Sequence, residues 1–258
     1  GFGTTTYPYF DPATRGVAFA GLTATLDAAP EGSIVVLQPV CHNPTGLDLS
    51  REQEEALTAL MLRKGHVAAF DMAYQGFGEG LAEDAGFVRR YAARAQCLVA
   101  NSFSKNFSLY GERVGGLSLV AADADEAERA LSQLKLAVRR SYSSPPMSGG
   151  LLVAEVLGDA ELFRMWEGEV ATMRERMKAM RRALAEAIGA LSNTFDARFL
   201  TEQRGMFSYT GLTRAQVVAL REREGIYLVE SGRMCVAGLN PGTIARVAEG
   251  IAAAAAAG

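Results

Sequence analysis

The sequence predicts an α/β fold, with a large domain built on a mostly parallel sheet and a small α+β domain after it. Two patterns predict this. Short apolar runs alternate with helical stretches through the first half of the chain, which is the order found in parallel sheets. After Asn193 strand-like and helical patterns alternate again in a shorter unit. We place the boundary inside a long helical region, which gives a large domain of residues 1–170 and a small domain of residues 171–258.

The composition indicates a globular protein without a charged partner surface. The chain has 258 residues, 49% of them hydrophobic, which is enough for one large core or for a large and a small domain. A net charge of −3 gives no indication of binding to nucleic acid or to an anionic membrane. No run approaches the ~18 apolar residues of a membrane span.

The three cysteines, Cys41, Cys97 and Cys235, are widely spaced, so they predict neither a disulfide framework nor a metal site. Each lies in or beside an apolar run, and we expect a small buried core residue at each position. A reducing, cytoplasmic location fits this pattern.

The first half contains four strand-like runs and two helical patterns. The strands are predicted at Ser33–Gln38, His66–Asp71, Cys97–Ser102 and Gly115–Ala121. Their continuous apolar character favours a sheet that is covered on both faces. One helix is predicted over Ser50–Lys64, with Ser50 as N-cap and Gln53 completing a capping box, and another from about Ala82 to Ala95.

The second half is helical first and mixed later. Asp123 or Asp125 can cap a helix that runs to about Arg139. A long helical region follows from Gly149 to Leu191, with a Met-rich apolar stripe that we interpret as core. The remaining predictions are strands at Phe195–Leu212 and Ile226–Val236, and helices at Thr213–Glu224 and Pro241–Ala257.

The first residues, GFGTTTYPYF, contain no initiator Met, no basic segment and no apolar segment of a signal peptide. We interpret them as an internal part of a longer protein. The chain is therefore expected to be a fragment.

Polar side chains follow three successive predicted strands. Asn43 follows the first strand, Asp71 and Tyr74 follow the second, and Lys105 follows the third between hydroxyl residues. Because ligands of open α/β sheets bind outside the carboxyl ends of the strands, these groups are expected in one crevice.

Each of these residues also has an ordinary interpretation. Asn43 begins an Asn-Pro-Thr-Gly turn, Asp71 could cap a helix, and an isolated Lys105 is usually a solvated charge. Their joint occurrence favours one ligand. A lysine among hydroxyls and near Arg113 suggests a Schiff base with a phosphorylated aldehyde, and a facing carboxylate suits a pyridinium nitrogen. A dinucleotide is disfavoured, because no G-x-G-x-x-G follows the first strand.

Five motifs, in the family's order, resemble class I aminotransferases of the aspartate and aromatic branch, which use pyridoxal 5'-phosphate (PLP). They are His42–Gly46 (HNPTG), Asp71–Phe77 (DMAYQGF), Ser102–Asn106 (SFSKN), Tyr110–Gly115 (YGERVG) and Ser231–Arg233 (SGR). The resemblance extends over essentially the whole chain and implies the PLP-dependent transferase fold type I, with an incomplete large domain.

Three further segments are most similar to aromatic-amino-acid aminotransferases. They are Arg139–Pro146, Gln203–Gly211 and Gly232–Asn240. Ser144 stands where aspartate-specific members usually carry Asn. The resemblance thus implies transamination of aromatic or dicarboxylic L-amino acids with 2-oxoglutarate.

The resemblance also implies a role for each motif residue. Lys105 would bind the cofactor covalently and move the substrate Cα proton, with Asp71 on the pyridine nitrogen. The other cofactor contacts would be Tyr74 and Asn43 on the phenolic oxygen and Ser102, Ser104 and Arg113 on the phosphate. Substrate would be held by Arg233, Asn43 and Phe207, with Arg139 reaching the neighbouring subunit of a homodimer. His42 would lie behind the site, and Pro44 could follow a cis peptide bond.

The sequence departs from the family at its beginning. Members carry an N-terminal arm, a phosphate-binding loop at a helix N-terminus and a ring that stacks on the cofactor, and none has a counterpart here. We therefore expect weak PLP binding, poor turnover and exposed apolar surface in this chain.

Other functions remain open at this point. Aspartate aminotransferase is the nearest enzyme alternative, and a Schiff-base lyase would use Lys105 without requiring Arg139. A catalytically silent binding or assembly fragment is the alternative of another class, although the intact set of Lys105, Asp71, Tyr74, Arg113 and Arg233 argues against it.

Overall fold

The structure, a computed structural model, describes residues 3–192 and 195–256. The strands are β1 (Phe10–Asp11), β2 (Gly16–Val17), β3 (Ile34–Leu37), β4 (Val67–Met72), β5 (Cys97–Ser102), β6 (Gly115–Val120), β7 (Phe207–Tyr209) and β8 (Arg233–Cys235). The helices are α1 (Phe19–Ala28), α2 (Arg51–Lys64), α3 (Leu81–Asp84), α4 (Gly86–Ala92), α5 (Ala124–Tyr142), α6 (Ser148–Gly158), α7 (Ala160–Leu191), α8 (Phe199–Glu202), α9 (Arg214–Glu224) and α10 (Ile244–Ala256), with a 3₁₀ turn at Val236–Gly238.

The central sheet has four strands in the order β3–β4–β5–β6. β3, β4 and β5 are parallel, and β6 runs antiparallel to β5. The predicted mostly parallel sheet is confirmed. Because the three parallel strands are neighbours, their carboxyl ends meet at one edge.

The helix-capping predictions are also confirmed. Ser50 and Gln53 form a capping box at the start of α2, and Gly65 ends that helix in the left-handed region. Asp123, rather than Asp125, caps α5 by accepting a hydrogen bond from the Glu126 amide. Local side-chain chemistry therefore fixes where these helices begin.

Two predicted helical regions are each divided in two. The helix expected over Ala82–Ala95 is interrupted at Ala85, between α3 and α4. The region from Gly149 to Leu191 is interrupted at Asp159, whose carboxylate accepts from the amides of Glu161 and Leu162. A capping carboxylate thus starts a new helix inside a continuous apolar pattern.

The two long strands predicted after Asn193 are wrong. Between 195 and 212 only β7 is a strand, and between 226 and 236 only β8 is. Gly205, Gly211 and Gly232 adopt positive φ angles of 75°, 73° and 89° and interrupt the extended backbone. Asn193 and Ala257, at which the sequence placed a change of pattern and a helix end, lie outside the described residues.

One buried apolar core extends from the sheet to the C-terminal helix. It includes Phe70 of β4, Met177 and Leu184 of α7, and Ile251 of α10. The predicted Met-rich core stripe is confirmed at Met177 and Met180. Residue 170 lies within the continuous helix α7, and the domain boundary there stays a prediction.

The expectation that the sheet is covered on both faces is wrong for this chain. Burial alternates along β3, so that Ile34 and Val36 are 55% and 60% exposed while Val35 and Leu37 are buried. Leu117 of β6 is likewise exposed, and α5 has no buried residue. The predicted exposed apolar surface is therefore present.

Cys41 and Cys97 are buried as expected, but Cys235 is exposed on β8. Its side chain lies on the outer face of the short two-stranded sheet, which an apolar sequence run could not reveal. No described helix has the length and apolarity required to cross a membrane.

Candidate active site

Three neighbouring strand ends bring the predicted groups together. Asn43 lies in the turn that follows β3, at a cis bond to Pro44. β4 includes Asp71, ends one residue later than predicted, and leads to Tyr74. β5 ends at Ser102, three residues before Lys105.

Asn43 connects the large sheet to the C-terminal strands. Its side-chain amide donates to the Tyr74 hydroxyl over 3.2 Å, and its carbonyl oxygen accepts from Arg233 over 3.0 Å. Its backbone amide donates a hydrogen bond to Gln38 Oε1 over 2.9 Å, and this bond orients the turn. Residues 190 positions apart are thus joined through one side chain.

Lys105 lies over the aromatic ring of this cluster. Its Nζ atom is 4.9 Å from the centroid of the Tyr74 ring. The Tyr74 ring also meets Phe207 edge-on, with centroids 5.9 Å apart. An amine, a phenol and an amide therefore converge at one place.

Arg233 is held flat against an aromatic face. Its guanidinium carbon lies 4.6 Å from the centroid of Phe207. The two residues come from paired strands, because β7 and β8 are antiparallel with Tyr209 opposite Arg233. Stacking and the bond to Asn43 leave the rest of the planar fork available for a carboxylate.

The electrostatics keep Tyr74 protonated. Burial raises the pKa of the Tyr74 phenol, the nearby Asp71 carboxylate raises it further, and the Asn43 hydrogen bond and Arg233 oppose both. Since the phenol oxygen already accepts from Asn43, its own proton is free to be donated to a ligand.

The residues predicted to hold the phosphate, Ser102, Ser104 and Arg113, form contacts within their own segments. Ser104 is buried, and its amide donates to Ser102 Oγ over 3.3 Å. Arg113 is exposed, has a φ of 51° and donates to the carbonyl of Tyr110 over 3.0 Å. In this chain Arg113 thus contacts its own loop.

Arg139 is not brought into the cluster. It lies in the last turn of α5, exposed, and donates to the hydroxyls of Ser143 and Ser144 over 2.9 and 3.5 Å. Among the described residues, Arg139 forms no contact that would support a role in this chain's own candidate site.

His42 packs behind the turn. Its ring stacks on Tyr9 at a centroid distance of 3.7 Å, and its Nδ1 lies 2.9 Å from Thr45 Oγ1. Burial lowers the pKa of His42 to about 4, so the ring is neutral near pH 7.

The sequence did not reveal two residues that position the cluster. Arg181 of α7 is buried and donates to the carbonyls of Leu200, Gly205 and Phe207. Asp84 accepts from the amides of Gly76, Gly78 and Glu79, just beyond Tyr74. An arginine in a helical stripe reads as a surface residue, so only the burial of Arg181 could have identified it.

These elements and this site define a known class of protein. The chain belongs to the family of class I and II aminotransferases, whose family model matches residues 1–251. It is 52% identical to the aromatic-amino-acid aminotransferase of Escherichia coli (strain K12) over 254 residues, which are 98% of this chain and 64% of that protein. It is 47% identical to an aspartate aminotransferase of Pseudomonas aeruginosa, with 97% and 63% coverage.

Solved structures agree with this assignment. The crystal structure of the aromatic-amino-acid aminotransferase of Burkholderia pseudomallei, covalently bound to pyridoxal phosphate, is 49% identical and superposes with a TM-score of 0.96. It is matched over 98% of this chain and 64% of that chain. The predicted fold is confirmed, and the chain spans a little under two thirds of the length of these relatives.

Proposed function

We propose that the protein catalyses PLP-dependent transamination of aromatic and dicarboxylic L-amino acids with 2-oxoglutarate. One observation carries the proposal: Asn43 bonds both Tyr74 and Arg233 while Lys105 lies over the Tyr74 ring. These contacts support a site in which an amine and a guanidinium lie close to the same phenol and amide.

The donor set suits PLP. When bound, PLP supplies an aldehyde that condenses with amines and a pyridine ring that accepts electrons. Asp71 would hold the pyridine nitrogen, and Asn43 and Tyr74 the phenolic oxygen. The phosphate would be held by Ser102, Ser104 and Arg113, the last through a charge-assisted fork.

The remaining residues would act on the reacting atoms and hold the substrate. Lys105 would hold the cofactor's aldehyde carbon and afterwards carry the proton to and from the substrate Cα. Arg233 would bind the α-carboxylate, with Phe207 fixing the plane of its guanidinium. Because Arg139 lies outside this chain's cluster, we propose that it serves the site of a second copy in a homodimer.

Aspartate aminotransferase remains the second candidate, since an aspartate aminotransferase of Pseudomonas aeruginosa is 47% identical. The aromatic assignment is preferred because the aromatic-amino-acid and tyrosine aminotransferases reach 52% and 50%. Rates of the full-length parent protein with phenylalanine, tyrosine and aspartate would separate the two.

Borohydride trapping tests the proposal. The chain is incubated with PLP, reduced with sodium borohydride, and digested for mass spectrometry. We expect the pyridoxyl group on Lys105, its loss in Lys105→Ala, and unchanged labelling in Lys135→Ala, which removes an exposed lysine of α5. Equal labelling of Lys135 and Lys105, or full labelling in Lys105→Ala, would falsify it.

A further inference from the structure

A cavity adjoins the segments that lead to and from the candidate active site. It has a volume of about 290 Å³ and is enclosed by α7, the loop Phe77–Glu79 and the segment Thr201–Gly205. None of the residues assigned above to cofactor or substrate lines it.

The lining of this cavity is strongly basic. Five basic side chains and two acidic ones face it: Arg174, Lys178, Arg181, Arg182 and Arg204, with Glu79 and Glu202. The whole chain carries a net charge of −3. Positive charge is therefore concentrated at this cavity although the chain as a whole is negative. Such a concentration favours the binding of an anion.

One of these cations is buried without an ion pair, and the carboxylate of Asp48 attracts it only from a distance. Arg181 is only 3% exposed, and its guanidinium donates to three backbone carbonyls and to the Ser208 hydroxyl. No described carboxylate forms an ion pair with it. Burying an unpaired charge is unfavourable, and an anion in the adjoining cavity would offset part of that cost.

A second cation is available for direct contact. Arg182 is exposed and has no hydrogen bond or ion pair within the described part of the chain. Glu79 is already engaged, by Lys178 at 2.7 Å and by Arg204 at 3.6 Å. Glu79 therefore balances part of the charge of Lys178 and Arg204, and Arg181 and Arg182 are the lining cations that supply the excess positive charge.

We propose that this cavity binds a small doubly charged anion, either a phosphate group or a dicarboxylate. Arg182 would form the direct fork, and the buried charge of Arg181 would add to the attraction. The anion would connect the loop that follows Tyr74 to the segment that precedes Phe207. This proposal is independent of the transamination reaction.

Calorimetric titration of the full chain tests the site, with inorganic phosphate in one arm and succinate in the other. We expect Arg182→Gln to weaken binding about tenfold, because a hydrogen bond to a charged group is lost. The matched control is Arg129→Gln, which removes an exposed arginine of α5 and should change affinity less than about twofold. Binding of phosphate or of succinate shows whether the cavity takes a phosphate group or a dicarboxylate.

Both anions could also bind at the candidate active site, so Arg113→Gln and Arg233→Gln are titrated in parallel. Binding that survives these two changes and is weakened by Arg182→Gln supports the cavity. The proposal is overturned if neither anion binds, if Arg182→Gln has no effect, or if only Arg113→Gln and Arg233→Gln abolish the signal. Arg182 is exposed, so its replacement leaves the folded chain available for measurement.

Discussion

Two titratable residues beside the Asn43 turn, Asp48 and His42, have pKa values that are shifted in opposite directions. Burial raises the pKa of Asp48 to about 6, against hydrogen bonds from the amides of Cys41 and His42. Burial lowers the pKa of His42 to about 4. Both side chains are therefore neutral in the folded chain between about pH 4 and about pH 6.

From these two pKa shifts we predict two pH dependences of the folding stability that offset each other in the unchanged chain. The folded pKa of Asp48 lies above its unfolded value, so its contribution is full below about pH 4 and lost as the pH rises to about 6. The folded pKa of His42 lies below its unfolded value, so its contribution is present above about pH 6.5 and lost as the pH falls to about 4. In the unchanged chain the two largely cancel.

Single substitutions should reveal each slope. Relative to the unchanged chain, the free energy of unfolding of Asp48→Asn should rise by about 1.4 kcal/mol per pH unit between about pH 4 and about pH 6. That of His42→Gln should fall by a similar amount. Urea unfolding across this range measures both, and parallel curves for the two variants would contradict the pKa assignments.

At the scale of elements, the position of Phe207 and Arg233 depends on close backbone contact. The amide of Arg204 donates to the carbonyl of Gly46 over 2.7 Å. A Cβ on Gly46 would lie 2.5 Å from the carbonyl oxygen of Phe207. The Asn43 turn and the segment leading into β7 can approach this closely only because position 46 lacks a side chain.

Gly46→Ala should therefore be strongly destabilising, by about 2 to 4 kcal/mol, because a positive φ and a clash with backbone act together. The matched control is Gly65→Ala. Gly65 has a φ of 64°, and a Cβ added there would have no neighbour within 4 Å, so only the conformational cost of about 1 to 2 kcal/mol for a left-handed alanine applies. Chemical unfolding of both variants checks this, and equal losses would show that the contact with Phe207 is unimportant.

At the scale of the whole molecule, the chain exposes several apolar faces. Leu151 and Leu152 of α6 are 59% and 52% exposed, and α5 exposes Leu131 and Leu136. The outer side of β3 adds Ile34 and Val36. Large exposed apolar side chains of this kind bind hydrophobic dyes and promote association.

The folded chain should therefore enhance the fluorescence of the dye ANS. The double variant Leu151→Lys and Leu152→Lys should reduce that enhancement, while the free energy of unfolding changes by less than about 0.5 kcal/mol per site. Dye fluorescence and urea unfolding on the same samples provide the test. Undiminished fluorescence in a fully folded variant would place the dye-binding surface elsewhere.

The sequence by itself determined most of what depends on local order. Helix starts follow from Ser50 and Asp123, because a capping side chain acts within three residues of its own position. The parallel strands follow from apolar runs separated by helices. The convergence of Asn43, Tyr74 and Lys105 follows in turn, since neighbouring parallel strands end at one edge.

Only the tertiary structure decided how the C-terminal segment meets that edge. The bond between Asn43 and Arg233, the burial of Arg181 and the contact of Gly46 with Phe207 join residues far apart in the chain. No periodicity or spacing encodes such contacts, because they depend on which surfaces pack together. For the same reason the exposure of Cys235 and the basic cavity beside α7 became evident only in the folded chain.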